Sequence, residues 1–255
     1  ISIQPSEFVK LTLAIYLAKT AEKNKSVLSF FIPLSIVAGL ILMQPDFGTT
    51  VVVTLIGAAQ VFASGIKLIP FFGSVLTGGI IGVIAILVSD YRKERVLTYL
   101  KYSTDPLGSA YHIRQVLLAL GSGGIFGVGL GQSRQKYLFL PEAATDSIFA
   151  VIAEEVGFVG TVILIIIFAV FIIRGLSVAK RAPDIFSRVL AVGIVTWIGG
   201  QAFVNMSAMT ALLPLTGIPL PFFSYGGSAL TMILLATGIL LNISRYAKEG
   251  ERKRK

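Results

Sequence analysis

The sequence predicts an all-α polytopic membrane protein of about seven transmembrane helices with one large extracytoplasmic loop. Three observations carry this. Hydrophobic residues make up 55% of the 255 positions and charged residues 14%, against about 25% charged in an ordinary soluble domain. The mean hydropathy is +0.83. The apolar residues also gather into runs near the ~17–25 residues that cross a bilayer as a helix. We treat residues 1–255 as a single integral membrane domain, with a loop region at about 90–147 and a basic tail at about 244–255. The chain has no cysteine and one histidine, His112, so thiolate and His-rich metal sites are excluded. Chemistry must rest on carboxylates, amines, guanidinium groups, amides and hydroxyls. The net charge of +9 sits between apolar spans, which favours membrane orientation over nucleic acid as its meaning.

The spans are predicted at 5–18, 27–43, 49–64, 69–89, 148–173, 188–210 and 223–243, the first and third being short. The opening residue is Ile1 with no secretory leader before the first apolar run, and the expectation is that the natural N-terminus lies further upstream. With the C-terminus placed in the cytoplasm, fourteen of the 22 Lys and Arg fall on that side and seven on the other. This bias supports the placement. Acids distribute the opposite way, and Asp46, Glu142 and Asp146 fall outside, so any chemistry is expected to face outward.

In the first span, "QPSEFVK" sets Glu7 and Lys10 three apart, on one helix face where they can pair. Charged groups within a span face a cavity or a partner; Ser6 as N-cap and Glu7 at the helix N-terminus offer a structural alternative. The "QPDFGTT" junction offers Asp46 either as a cap on the next helix or as a ligand-facing acid. The region 90–147 is too long for a simple connection. Its "YRKERVLTYLKY" stretch is amphipathic and suited to the interface, and "AYHIRQVLLALGSGGIFGVGLG" is an apolar half-span that stops in glycines. Those glycines match no nucleotide-binding spacing. Arg114, Arg134 and Lys136 are candidates for holding a phosphate-bearing head group, or are solvated surface charge. In "LPEAATDSIFAVIAEEVGF", Asp146 stands at or just before a helix that it can cap and that carries Glu154 and Glu155 two turns on; of these two, one can face a polar interior while the other pairs with a base or an interface. Gln201 and Asn205, four apart, precede "PLTGIPLPFFSYGGS", whose prolines and glycines forbid a continuous helix.

In their order and spacing these motifs, with "DPLGSAYHIRQ" and "SRQKYLFLPEA", resemble the SEDS family of bacterial membrane proteins, the latter motif leaning to its division and sporulation branches. The resemblance implies a ten-span fold of which this chain supplies the last seven. It also implies peptidoglycan glycosyltransferase activity, with lipid II polymerised outside the cytoplasmic membrane in cell division or elongation. The implied partners are a class B penicillin-binding protein, other divisome proteins and membrane lipid. Residue by residue, it assigns catalysis to Asp146 and substrate binding to Glu7, Lys10 and Asp46. Family members commonly carry His where Ala144 stands and Phe where Ser147 stands. Chemically, an attacking sugar hydroxyl needs a base, and a pyrophosphate leaving group needs positive charge or a divalent cation. Asp146 meets the first need; Lys10, Arg114, Arg134 and Lys136 are the candidates for the second. A lipid-precursor flippase and a non-catalytic scaffold are the rival readings.

Overall fold

A computed structural model describes residues 4–23, 26–44, 46–66, 111–138 and 140–252. All regular structure among them is helical: α1 (Pro5–Lys23), α2 (Val27–Met43), α3 (Phe47–Ala63), α4 (Tyr111–Ser122), α5 (Gln135–Leu138), α6 (Ile148–Lys180), α7 (Ile185–Met209) and α8 (Gly227–Arg252). The expected span at 69–89 and the amphipathic stretch at 91–102 lie outside the described residues. By length and composition α6, α7 and α8 can cross a membrane, and α2 and α3 are shorter apolar helices. A helix suits this setting because it satisfies its own backbone polar groups where no water can.

The helices overrun the apolar stretches that announce them. α1 continues through Lys19, Glu22 and Lys23, and α8 through Arg245; Lys, Glu and Arg are good helix formers, so loss of apolarity marks the membrane edge and not the helix end. At its start, α1 corrects one expectation. Pro5 is the first helical residue and the Glu7 N–H donates to the Gln4 carbonyl at 3.2 Å, so Ser6 lies in the first turn and does not cap it. Proline's fixed φ and missing N–H suit that first position.

The chain groups into two compact units. One comprises Ile1–Ile84, Val170–Gly200 and Gly227–Lys255. Its interior joins Leu13, Ala14 and Leu17 of α1, Phe30 and Leu34 of α2, Val53 and Ile56 of α3, and Ile194, Trp197 and Ile198 of α7, all buried. α2 and α3 approach closely at Gly57, where a β-carbon would lie 2.5 Å from Leu34. Gln60 is fully buried and its amide nitrogen donates to the carbonyls of Ala14 (2.8 Å) and Val189 (3.2 Å). It thereby ties α1, α3 and α7 together, as polar side chains do between helices in lipid.

The second unit comprises Ala85–Ala169 and Gln201–Gly226. Its core joins Val116, Ala119, Leu140, Phe149, Ala150, Phe168, Met209 and Leu220. Here α6 is interrupted at Gly157 (φ 70°, ψ −170°). The turn after α4 lies against this break backbone to backbone: Val128 and Gly129 N–H donate to the carbonyls of Glu154 and Glu155, both at 3.0 Å, while Phe158 and Val159 N–H donate to those of Gly124 (2.9 Å) and Ile125 (3.1 Å). The glycine run therefore serves close backbone approach. A β-carbon on Gly127 (φ 81°) would fall onto the Glu155 carbonyl oxygen, whereas one on Gly124 (φ 53°) meets nothing. Left-handed backbone alone disfavours a side chain by roughly 1–2 kcal/mol. Gly127→Ala is thus expected to lower the melting temperature in detergent clearly more than Gly124→Ala. Equal shifts would show that the loop does not seat in the break.

Candidate functional site

In the second unit, residues 141–147 form a turn that leads into α6 and carries Asp146. The turn closes on itself around Glu142. This residue holds φ 50°, a conformation uncommon for a residue with a side chain. Its carbonyl accepts from the N–H groups of Thr145 and Ser147, both at 3.1 Å, and its carboxylate accepts from the Thr145 hydroxyl at 2.7 Å.

Three other segments clamp this turn. From α4, the His112 Nε2 lies 2.8 Å from the Ser147 hydroxyl, which itself donates to the Pro141 carbonyl at 3.0 Å. A hydroxyl has one proton, so the ring nitrogen is the donor in the first bond. From α7, the Asn205 amide donates to the backbone carbonyl of Asp146 at 2.8 Å. From the proline-rich segment, the Ser224 hydroxyl donates to the Thr145 carbonyl at 2.6 Å and the Tyr225 N–H donates to the Ala144 carbonyl at 2.8 Å. In that segment Phe222 also adopts a left-handed φ of 68°. Strained residues of this kind persist only where surrounding contacts hold them.

The cap of α6 falls on Ser147, whose carbonyl accepts from Ala150 and Val151 N–H. Asp146 sits one residue before it, half-buried, with a carboxylate oxygen beside Gly217. Of the acid pair further along, Glu154 is buried and accepts from the Ser133 hydroxyl (2.5 Å) and the Arg134 N–H (3.1 Å). Glu155 pairs with Lys136 at 2.6 Å, and Lys136 also donates to the Gly131 carbonyl at 2.9 Å. The interior acid and the paired acid are thereby told apart. Lys136 is engaged in holding the loop, while the Arg114 and Arg134 side chains are exposed.

The first unit holds the other candidates. Lys10 and Glu7 form an ion pair at 2.7 Å with side chains 2% and 1% exposed, and the Lys10 ammonium lies 5.2 Å from the centre of the Trp197 ring. Such a face attracts a cation. Glu7 Oε2 has no hydrogen-bond partner among the described residues. Asp46 caps α3 by accepting from the Thr49 N–H at 2.9 Å. No three metal-ligating side chains converge among the described residues.

Sequence reasoning did not single out His112, Ser147, Asn205 or Ser224 as parts of this turn. One signal was available: Ser147 stands where the family commonly has Phe, and a hydroxyl there calls for a partner.

The fold and this turn define a multi-span helical membrane protein with a carboxylate held in a clamped turn at the head of a long helix. The sequence pattern of the FtsW, RodA and SpoVE family, described as cell cycle protein, matches residues 1–249. The chain belongs to this family. It is 46% identical over 257 residues to stage V sporulation protein E of Bacillus subtilis, covering 97% of this chain and 70% of that protein. To the probable peptidoglycan glycosyltransferase FtsW of Geobacter metallireducens it is 40% identical over 255 residues, covering 97% and 68%. Among solved structures, a peptidoglycan synthase complex described as coordinating polymerization and crosslinking contains a similar chain, with TM-score 0.77, 30% identity, and 97% and 71% coverage. The rod shape determining protein RodA of Thermus thermophilus is similar at TM-score 0.63 and 29% identity, covering 96% and 66%.

Proposed function

We propose that this protein is a peptidoglycan glycosyltransferase that polymerises lipid II, with Asp146 as the general base. The observation that carries the reading is the three-sided clamp on the Asp146 turn in a chain whose relatives bear that enzyme name. In the reaction, a sugar hydroxyl of one lipid II attacks the anomeric carbon of another. The new glycosidic C–O bond forms as the bond from that carbon to the pyrophosphate oxygen breaks, the hydroxyl proton passes to Asp146, and the lipid pyrophosphate leaves. Direct displacement inverts an α-linked donor to a β-1,4 product. A base adds on the order of 10²–10⁴ in rate when held within hydrogen-bond reach of the proton. Holding the backbone of residues 144–147 from several sides is what such placement needs.

Of the candidate cations for a pyrophosphate, Arg114 and Arg134 are exposed. Glu7, Lys10 and Asp46 remain substrate-binding candidates by resemblance, and Lys136 by its charge. Their observed partners within the protein support a framework role equally well. A class B penicillin-binding protein is the proposed partner and lipid the surrounding medium, which exposed Ile163, Ile166 and Ile167 on α6 fit. Purified protein with its partner and lipid II is expected to yield glycan polymer; none formed under those conditions would overturn the reading.

The location we propose is the bacterial cytoplasmic membrane, with the site outside and the C-terminus inside, supported by the Lys and Arg bias. Because the chain has no cysteine, single cysteines report orientation cleanly. A cysteine at exposed position 132 is expected to react with an impermeant maleimide on intact cells, and one at exposed position 181 is not. The reverse pattern would invert the topology.

A further inference from the structure

We infer that Asn205 is a positioning residue for Asp146, acting through the backbone and not by touching substrate; this rests on the base reading above. Asn205 lies on α7 and is 1% exposed. Its amide nitrogen donates to two carbonyls at once, that of Asp146 at 2.8 Å and that of Ile218 at 2.7 Å. A primary amide nitrogen has two N–H groups in a fixed plane, so the two carbonyls are fixed relative to each other.

The second carbonyl matters because of its neighbour. At Gly217 (φ 70°) a β-carbon would sit 3.3 Å from Asp146 Oδ2, so the carboxylate lies beside Gly217, the residue before Ile218. Asn205 therefore sets both the chain that bears the carboxylate and the surface on which it lies. Its Oδ1 is buried and has no hydrogen-bond partner among the described residues. An unmatched buried acceptor is unfavourable, and the amide carries that penalty while holding these two carbonyls.

Gln201 provides an internal comparison. It is one turn earlier on α7, is fully buried, and donates to the Pro219 carbonyl at 2.9 Å. It staples the same segment through the Pro219 carbonyl. If stapling were all that mattered, the two residues would be equivalent.

The test measures kcat, KM for lipid II and melting temperature for Asn205→Leu, Gln201→Leu and Asp146→Asn in purified protein with its partner. Asn205→Leu is expected to lower kcat at least about tenfold, since small misplacements near a reacting group cost up to about 10²-fold, with KM changed less than twofold. Gln201→Leu should lower the melting temperature by a similar amount while keeping kcat within twofold of the wild type. Should Asn205→Leu not fold, Asn205→Ser decides, because it leaves room for water at both carbonyls yet cannot span them; the same kcat loss is expected. With Asp146→Asn inactive, wild-type kcat in the Asn205 variant that folds, or an equal kcat loss in Gln201→Leu, overturns the positioning role alone. Activity retained by Asp146→Asn overturns the base reading and this role together.

Discussion

Asp146→Asn is expected to lower lipid II polymerisation by on the order of 10²–10⁴-fold, the share a general base supplies, with the melting temperature close to that of the wild type. The substitution is chosen for what it preserves. Asparagine keeps the size of the side chain, and the bonds that hold the turn run to the backbone carbonyl of Asp146, to Thr145 and to Ala144. The cap of α6 is at Ser147, so helix initiation is untouched. What is removed is the capacity to take up a proton. Asp184→Asn is the matched control. Asp184 accepts from the Ser187 N–H and hydroxyl, both at 2.8 Å, ahead of α7. An asparagine oxygen can still accept from that N–H, so activity and stability are expected to stay near wild type. Polymerisation undiminished in Asp146→Asn would move the scaffold reading ahead.

Lys10→Met is expected to destabilise the protein by about 3–5 kcal/mol, as when one member of a buried ion pair is removed. Glu7, 1% exposed, would lose the ammonium that faces it at 2.7 Å. Glu7→Gln combined with Lys10→Met removes both charges and should recover most of the stability, which thermal denaturation of the single and double variants will measure. The activity of the double variant then separates two roles. A lysine that also stabilises an anionic group on the substrate leaves the double variant stable but inactive. Recovery of polymerisation together with stability would make the pair a structural device within α1, with Trp197 as its lid. Should the double variant be as unstable as Lys10→Met, the uncompensated charge on Glu7 is not the cause of the loss.

The difference between these two sites also shows how far residue order reaches. The Glu7–Lys10 pairing was legible because its geometry is local: three residues along a helix bring side chains to one face. The same is true of Asp46, whose cap on α3 reaches three residues ahead, and of the helices themselves, whose apolar stretches announce them even where the ends run on. The break in α6 was not legible. Gly157 opens a long apolar stretch with no local turn signal beside it, and its need for a positive φ arises from Gly124–Gly129, a segment some thirty residues away. Likewise, nothing local distinguishes Glu154 from Glu155. Adjacent positions on a helix diverge by about 100°, and which direction is interior depends on where Ser133 and Lys136 are placed.

By itself, then, the sequence determined the helical membrane class, the family motifs and the identity of Asp146 as the candidate base. The class follows from composition and short-range periodicity, and Asp146 as the candidate base from the resemblance of its motif to the family's. The tertiary structure alone decided what surrounds that carboxylate. His112, Asn205, Ser224 and Gly217 stand between 34 and 78 positions from it in the sequence; Asn205 and Ser224 supply donors to carbonyls of the turn, as backbone acceptors require, and His112 meets the Ser147 hydroxyl.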